Sequence, residues 1–175
     1  MNFILIGIPR CGKTTLGEKA AIALGMQFYN TDTLVSDYIC TKYQTLSFFY
    51  FLHEFITAEE TVVQKVAKEA ANAIIATGAE TPLSKKNAQA LQQTGRFIHI
   101  KRDMDQMLNE VRAKFIPDPK RPEVRNGNEF MLYEYMAMLP EYEKLADFTV
   151  ENDGGEEAGL EKLVAIIRAE LGCAI

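Results

Sequence analysis

The residues Gly7-Ile8-Pro9-Arg10-Cys11-Gly12-Lys13-Thr14 match the pattern GxxxxGK[ST] in full. They follow an apolar run, Asn2 to Ile6, and precede a helix-forming stretch. A phosphate cradle needs that setting. Glycines let successive backbone N–H groups turn inward around phosphate oxygens, and the N-terminus of the next helix adds the positive end of its dipole. Lys13 can reach the β- and γ-phosphates of a nucleotide, and the Thr14 hydroxyl can ligate Mg²⁺. Gly7, Arg10, Cys11, Gly12, Lys13, Thr14 and Thr15 are the candidate nucleotide-binding residues. Cys11 invites a redox role, but a small residue that fits the loop accounts for it more simply.

Asp32 closes the stretch Phe28-Tyr-Asn-Thr-Asp32, just past a second candidate strand. In a parallel sheet the carboxyl ends of the strands converge on the ligand crevice. An aspartate there can orient a substrate hydroxyl, accept its proton, or hold a water on Mg²⁺. It can equally cap a helix or sit in a turn. Lys114, Lys120, Arg121 and Arg125 are interleaved with Pro117, Pro119 and Pro122. So basic a loop in an acidic protein suits a lid over phosphates better than a solvated turn. Phe48 to Phe51 with Phe55 reads as core, or else as the wall of an acceptor pocket. His53 and His99 read as packed or surface histidines, and Lys85-Lys86 as a solvated helix start.

The elements that must position these groups alternate. Strands are expected at Asn2–Ile6, Gln27–Asn30, Ala73–Thr77, Phe97–Ile100 and Phe148–Val150. Lys13 to Leu24 reads as a helix with Leu16, Ala20, Ala23 and Leu24 on one face, stopped by Gly25. Further helices are expected over Glu59–Ala71, Ser84–Gln93 (closed by Gly95), Asp105–Lys114, Glu129–Leu139, the stretch after Pro140, and Glu156–Leu171. Val35 to Phe55 is helical in parts, with breaks that the pattern does not place, and Phe115–Asn128 is loop. Strand–helix alternation argues an α/β fold with a parallel sheet flanked by helices.

With 175 residues the chain suits one domain that needs neither disulfide nor structural metal. A net charge of -5 disfavours a nucleic-acid partner. The longest uncharged runs are about ten residues, against the ~20 of a membrane span, and the first residues lack the marks of a signal peptide. Three widely spaced cysteines, Cys11, Cys40 and Cys173, suit reduced thiols in the cytoplasm.

Taken together, GxxxxGKT, FYNTD, Ile74-Ile-Ala-Thr-Gly78, Arg121-Pro122 and Pro140-Glu-Tyr142-Glu-Lys-Leu-Ala-Asp147 resemble shikimate kinase over nearly the whole chain. The resemblance implies a three-layer P-loop NTPase fold of the nucleoside-monophosphate-kinase type, with a five-stranded parallel sheet. It also implies ATP and Mg²⁺, a small-molecule hydroxyl acceptor, a lid over about residues 115–128 and an acceptor-binding subdomain over about 33–60. A monomer is expected rather than an oligomer. Asp32 corresponds to the substrate-associated carboxylate of the family's D-x-D pair, while Asn30 replaces the first. Arg112 is the candidate to lie over the adenine, and Arg121 is the lid arginine closing on the transferred phosphate. Catalysis is thereby expected from Lys13, Asp32 and Arg121, and metal binding from Thr14 and Asp32.

The departures lie on the acceptor side. Two arginines bind the shikimate carboxylate in the family; Val63 and Met138 stand in their places, and the ATGGG loop reads Ala76-Thr-Gly78-Ala79-Glu80. Each lost charge-assisted contact is worth about 1.5–3 kcal/mol, so two cost roughly 10²–10⁴ in affinity. The expectation is a kinase that uses shikimate poorly. Its rivals are a genuine shikimate kinase with Lys42, Lys65 or Arg10 as substitute cations, and a nucleotide-binding module that no longer catalyses.

Overall fold

The computed structural model describes residues 1–43, 52–117, 119–120 and 126–172, apart from the side chains of Tyr43, Leu52 and His53. Five parallel strands form one sheet in the order β2-β3-β1-β4-β5: β1 (Asn2–Ile6), β2 (Gln27–Asn30), β3 (Ala73–Ala76), β4 (Gly95–Lys101) and β5 (Phe148–Glu151). All residues of β1 and β3 are buried. Successive side chains point to opposite faces, so both faces of the sheet centre are covered, and unbroken runs such as Phe3-Ile-Leu-Ile6 answer that demand. Asn2 is the polar exception. Its buried amide donates to the Ala70 carbonyl at 2.9 Å and accepts from the Ala73 N–H at 3.1 Å, pinning the entry of β3 to β1.

Among the described residues eight helices flank the sheet: α1 (Lys13–Leu24), α2 (Thr31–Tyr43), α3 (Leu52–Glu69), α4 (Lys85–Gln92), α5 (Met104–Ala113), α6 (Gly127–Met136), α7 (Leu139–Leu145) and α8 (Glu156–Glu170). The chain runs from β1 to one edge of the sheet, returns to β3, then crosses β1 to β4. The crevice of such a sheet opens at this reversal, above the carboxyl end of β1.

Several elements differ from the sequence expectation. The buried face of α1 is Leu16, Gly17, Ala20 and Ala21, and Ala23 is exposed. Gly17 lets the helix approach the sheet closely, since a Cβ there would lie 2.8 Å from the Phe28 ring. Helix α2 begins directly after β2, and α3 begins at Leu52, seven residues before Glu59. Gly95 does not close a helix. It is the first residue of β4, where a side chain would run into the Asn2 backbone. The loop after α5 ends by Asn126, whose side chain caps α6 by accepting from the Asn128 N–H. The Phe48–Phe51 cluster, Arg121, Pro122, Arg125 and Cys173 lie outside the described residues, as does the side chain of His53.

Candidate active site

The loop between β1 and α1 turns on its glycines. Gly7 has φ 142°, and a Cβ there would lie 2.6 Å from the Ile100 carbonyl. Gly12 caps α1 at φ 105°, and a Cβ there would lie 2.6 Å from Asn152 Nδ2. That closeness is used: Asn152, just past β5, donates to the Cys11 carbonyl at 2.9 Å and ties the loop to the far edge of the sheet. The Lys13 ammonium donates to the carbonyls of Gly7 and Ile8 at 2.8 and 2.9 Å and lies 3.8 Å from Cys11 Sγ. Its position is thereby set by the loop itself. Arg10 takes a left-handed φ of 67° and reaches Asn128 Oδ1 at 3.1 Å, linking the loop to α6.

A cleft of about 330 Å³ has Arg10, Lys13, Thr14, Thr15, Asp32 and Ala79 in its walls. With Gly12 it thus brings together six of the site residues singled out from the sequence. Gly12 also lines it, whereas Gly7 and Cys11 are buried in the loop away from its surface. Asp32 sits in the first turn of α2. Its helix is capped by Asn30, whose Oδ1 accepts from the N–H groups of Asp32 and Thr33 at 3.0 and 3.3 Å. Asn30 Nδ2 donates to Thr14 Oγ1 at 3.3 Å, leaving that hydroxyl with acceptor capacity. The cleft walls desolvate the Asp32 carboxyl and raise its pKa, with Lys13 opposing the shift.

Beyond Asp32, the Gly78 N–H donates to Thr31 Oγ1 at 3.0 Å. A side chain at Gly78 would overlap Asp32 Oδ1 and come within 2.9 Å of Thr81 Oγ1. Thr81 donates to Glu59 Oε1 at 2.7 Å and Asn87 to Glu59 Oε2 at 3.3 Å. Burial raises the Glu59 pKa, and the nearby carboxylates of Asp32 and Glu80 push the same way. Tyr135 donates to Glu80 Oε1 at 3.1 Å; burial and that carboxylate push the phenol up to about 12. Tyr142, on α7, donates to the Ala79 carbonyl at 2.8 Å and stacks at 5.6 Å on His99. His99 is fully buried, and burial lowers its pKa to about 4.

The remaining sequence candidates fall elsewhere. Arg112 lies in the last turn of α5, where its Nε and Nη2 hold Glu129 Oε1 at 2.8 and 2.6 Å and Nη2 also meets the Tyr133 hydroxyl. Val63 is fully buried on α3, Met138 is half-buried, and Lys65 is exposed. Lys42 lies 5.5 Å over the Tyr38 ring. Thr81, Tyr135 and Asn152 are contacts the sequence reading did not find, and Tyr142 entered it only as part of the Pro140–Asp147 motif. Asn152 had a signal in its place at the carboxyl end of β5. Among the described residues there is no ready-made cluster of three His, Cys, Asp or Glu for a metal, and no helix is long and apolar enough to cross a membrane. One carboxylate and a hydroxyl beside bound phosphates still suit Mg²⁺, which usually takes few protein ligands.

The family model described as shikimate kinase matches residues 9–168. A shikimate kinase of Clostridium botulinum (strain Loch Maree / Type A3) is 30% identical over 169 residues, covering 96% of this chain and 95% of that one. The structure of the Acinetobacter baumannii shikimate kinase in complex with shikimate superposes with a TM-score of 0.70 at 21% identity, covering 98% of this chain and 93% of that one. That of Bacteroides thetaiotaomicron shikimate kinase gives 0.71 at 20% identity, covering 96% and 98%.

Proposed function

The chain belongs to the shikimate kinase family and is an ATP-dependent kinase with a hydroxyl acceptor; from that premise we propose that it phosphorylates a small metabolite other than shikimate. One observation carries the reading: Lys13, Thr14 and Asp32 face a single cleft, with the phosphate loop on one wall and the Gly78–Thr81 turn on the other. Lys13 stabilises charge on the transferred phosphoryl group, and the lid arginine Arg121 closes on it. Asp32 orients the acceptor hydroxyl and takes its proton, a role that a raised carboxylate pKa favours. Thr14 and Asp32 would hold Mg²⁺, whose charge offsets that of the β- and γ-phosphates when it is bound. Residues 33–60 and 115–128 serve as acceptor-binding and lid segments of one domain.

The departure from shikimate is supported by Met138, which cannot pair with a carboxylate, and by Glu80, which follows the cleft residue Ala79; Val63, the other expected arginine position, is buried in the core. Steady-state kinetics with shikimate and ATP test it. The expected kcat/KM lies below the ~10⁴–10⁸ M⁻¹s⁻¹ of ordinary enzymes; a value inside that range identifies a genuine shikimate kinase. Asp32→Asn should abolish transfer to any true acceptor while leaving ATP binding in place. Unchanged ATP turnover in that variant removes Asp32 from the mechanism.

A further inference from the structure

We propose that Arg10 is a second cation of the phosphate cradle, giving up its contact with Asn128 to hold phosphate oxygens of the bound nucleotide. The proposal rests on the kinase reading above and deepens it by naming what this side chain holds and what it leaves. Its backbone is the first observation. Arg10 lies at φ 67°, and Asn72 is the other described non-glycine residue at positive φ. Asparagine tolerates that conformation through its short polar side chain, whereas a long side chain is strained there. Strain of this kind persists where the surroundings enforce it, and it clusters at ligand sites. Arg10 is exposed, and it lines the same cleft as Lys13, Thr14 and Asp32.

Its donors are the second observation. A guanidinium offers five N–H groups in a planar fork. Among the described residues Arg10 makes one hydrogen bond, from Nη2 to Asn128 Oδ1 at 3.1 Å, and that acceptor is neutral. Glu110 feels the Arg10 charge through space, but both Nη atoms of Arg102 already hold its carboxylate. Phosphate oxygens are stronger acceptors than a carboxamide oxygen, since charge-assisted bonds are shorter and about twice as strong. The exchange therefore favours the nucleotide. Placement decides which substrate Arg10 serves. Asn128 and Glu110 lie on α6 and α5, whereas the cation that bears on Asp32 is Lys13. Arg10 thus belongs to the nucleotide, and its role as a substitute cation for the acceptor falls away.

The test is calorimetric titration with ATP, ADP and inorganic tripolyphosphate, the last lacking base and sugar. Arg10→Gly removes the side chain at a φ that glycine adopts freely, so the thermal midpoint should not fall. The variant should bind all three ligands about tenfold more weakly, the scale of one charge-assisted contact, and its binding should depend less on salt. Arg10→Lys keeps the charge without the fork and should lose about threefold. Asn128→Ala frees the guanidinium and should bind ATP as well as the wild type or better. Wild-type affinities in Arg10→Gly overturn the proposal. A loss confined to ATP and ADP, with tripolyphosphate unchanged, overturns it in favour of a contact with the base or sugar. Equal weakening in Asn128→Ala, or a lower thermal midpoint for Arg10→Gly, overturns it by showing that Arg10 serves the fold. All of these leave the kinase reading intact; a wild-type protein that binds no ATP overturns both.

Discussion

Around Lys13 the contacts are made to backbone: the carbonyls of Gly7 and Ile8 take its ammonium, and Asn152 holds the Cys11 carbonyl. Around Asp32 they are largely made between side chains: Thr81 to Glu59, Asn87 to Glu59, Tyr135 to Glu80. The two ends of one cleft thus store their chemistry differently. Backbone recognition of phosphate depends on glycines at positive φ and changes only with strain. Side-chain recognition of the acceptor can be rewritten residue by residue while the sheet beneath stays the same. This chain carries the whole GxxxxGKT loop and is 30% identical to a shikimate kinase over 169 residues.

The sharpest way to break this contrast is Lys13→Ala. Loss of one preorganised positive donor should lower kcat by about 10²–10³-fold, and the empty loop also loses its ties to Gly7 and Ile8. Turnover and calorimetric ATP binding at wild-type levels would remove the loop from the mechanism. Next come two glycine substitutions, one at each end. Gly78→Ala should push Asp32 aside and lower acceptor kcat/KM by about 10–100-fold, the scale of a displaced charge-assisted contact, while the ATP Kd stays within about twofold. Gly12→Ala should do the converse. Its backbone lies at φ 105° and its new methyl would meet Asn152, so stability should fall by about 1–3 kcal/mol and ATP binding with it. If both variants impair ATP binding and acceptor use alike, the two ends are not separable.

The same contrast governs what could be read from the sequence. The phosphate loop was legible because its residues are contiguous and its turns are set by glycines at positive φ. Strand β1 was legible because both its faces are buried, leaving an unbroken apolar run. The surroundings of Asp32 were not, because their pairs join distant residues: Tyr142 to Ala79 spans 63 positions and Tyr135 to Glu80 spans 55. Asp32 was found, but its setting was not, since helix α2 starts at once and Asn30 caps it. On α1 the buried face was misplaced because small residues, Gly17 and Ala21, face the sheet there, and a pattern that seeks the larger apolar residues turns the helix too far.

His99 probes the phosphate end through stability. It lies under Gly7, close to where a Cβ on that residue would stand, and neither ring nitrogen has a partner. Burial holds its folded pKa at about 4, with Lys101 and Lys13 lowering it further and Glu143 opposing them. The unfolded value is about 6.5, so between these limits the unfolded chain binds the proton and the folded chain does not. Stability is complete above pH 6.5 and falls as pH drops toward 4, by at most about 1.4 kcal/mol per unit. The raised pKa values of Asp32 and Glu59 act in the opposite sense at lower pH, so the comparison is with His99→Phe, which keeps a ring against Tyr142. Chemical denaturation across pH 7 to 4.5 should show a flatter profile for that variant. Parallel profiles would mean that His99 is protonated in the fold.

The smallest effect is expected at Arg112, the candidate adenine contact at the end of α5. Its Nε and Nη2 are tied to α6 through Glu129 and Tyr133. To lie over an adenine it must exchange an exposed, solvent-screened ion pair for a cation–π contact of similar size. The net gain is small. Arg112→Ala should therefore raise the ATP Kd by about two- to fivefold and leave stability nearly unchanged. Glu129→Gln separates the two uses of the side chain. It removes the competing anion, so an arginine that stacks on the base binds ATP as well as before or better. An arginine that serves only to join α5 to α6 leaves ATP binding unchanged in both variants, and the adenine contact must then be sought elsewhere along the cleft.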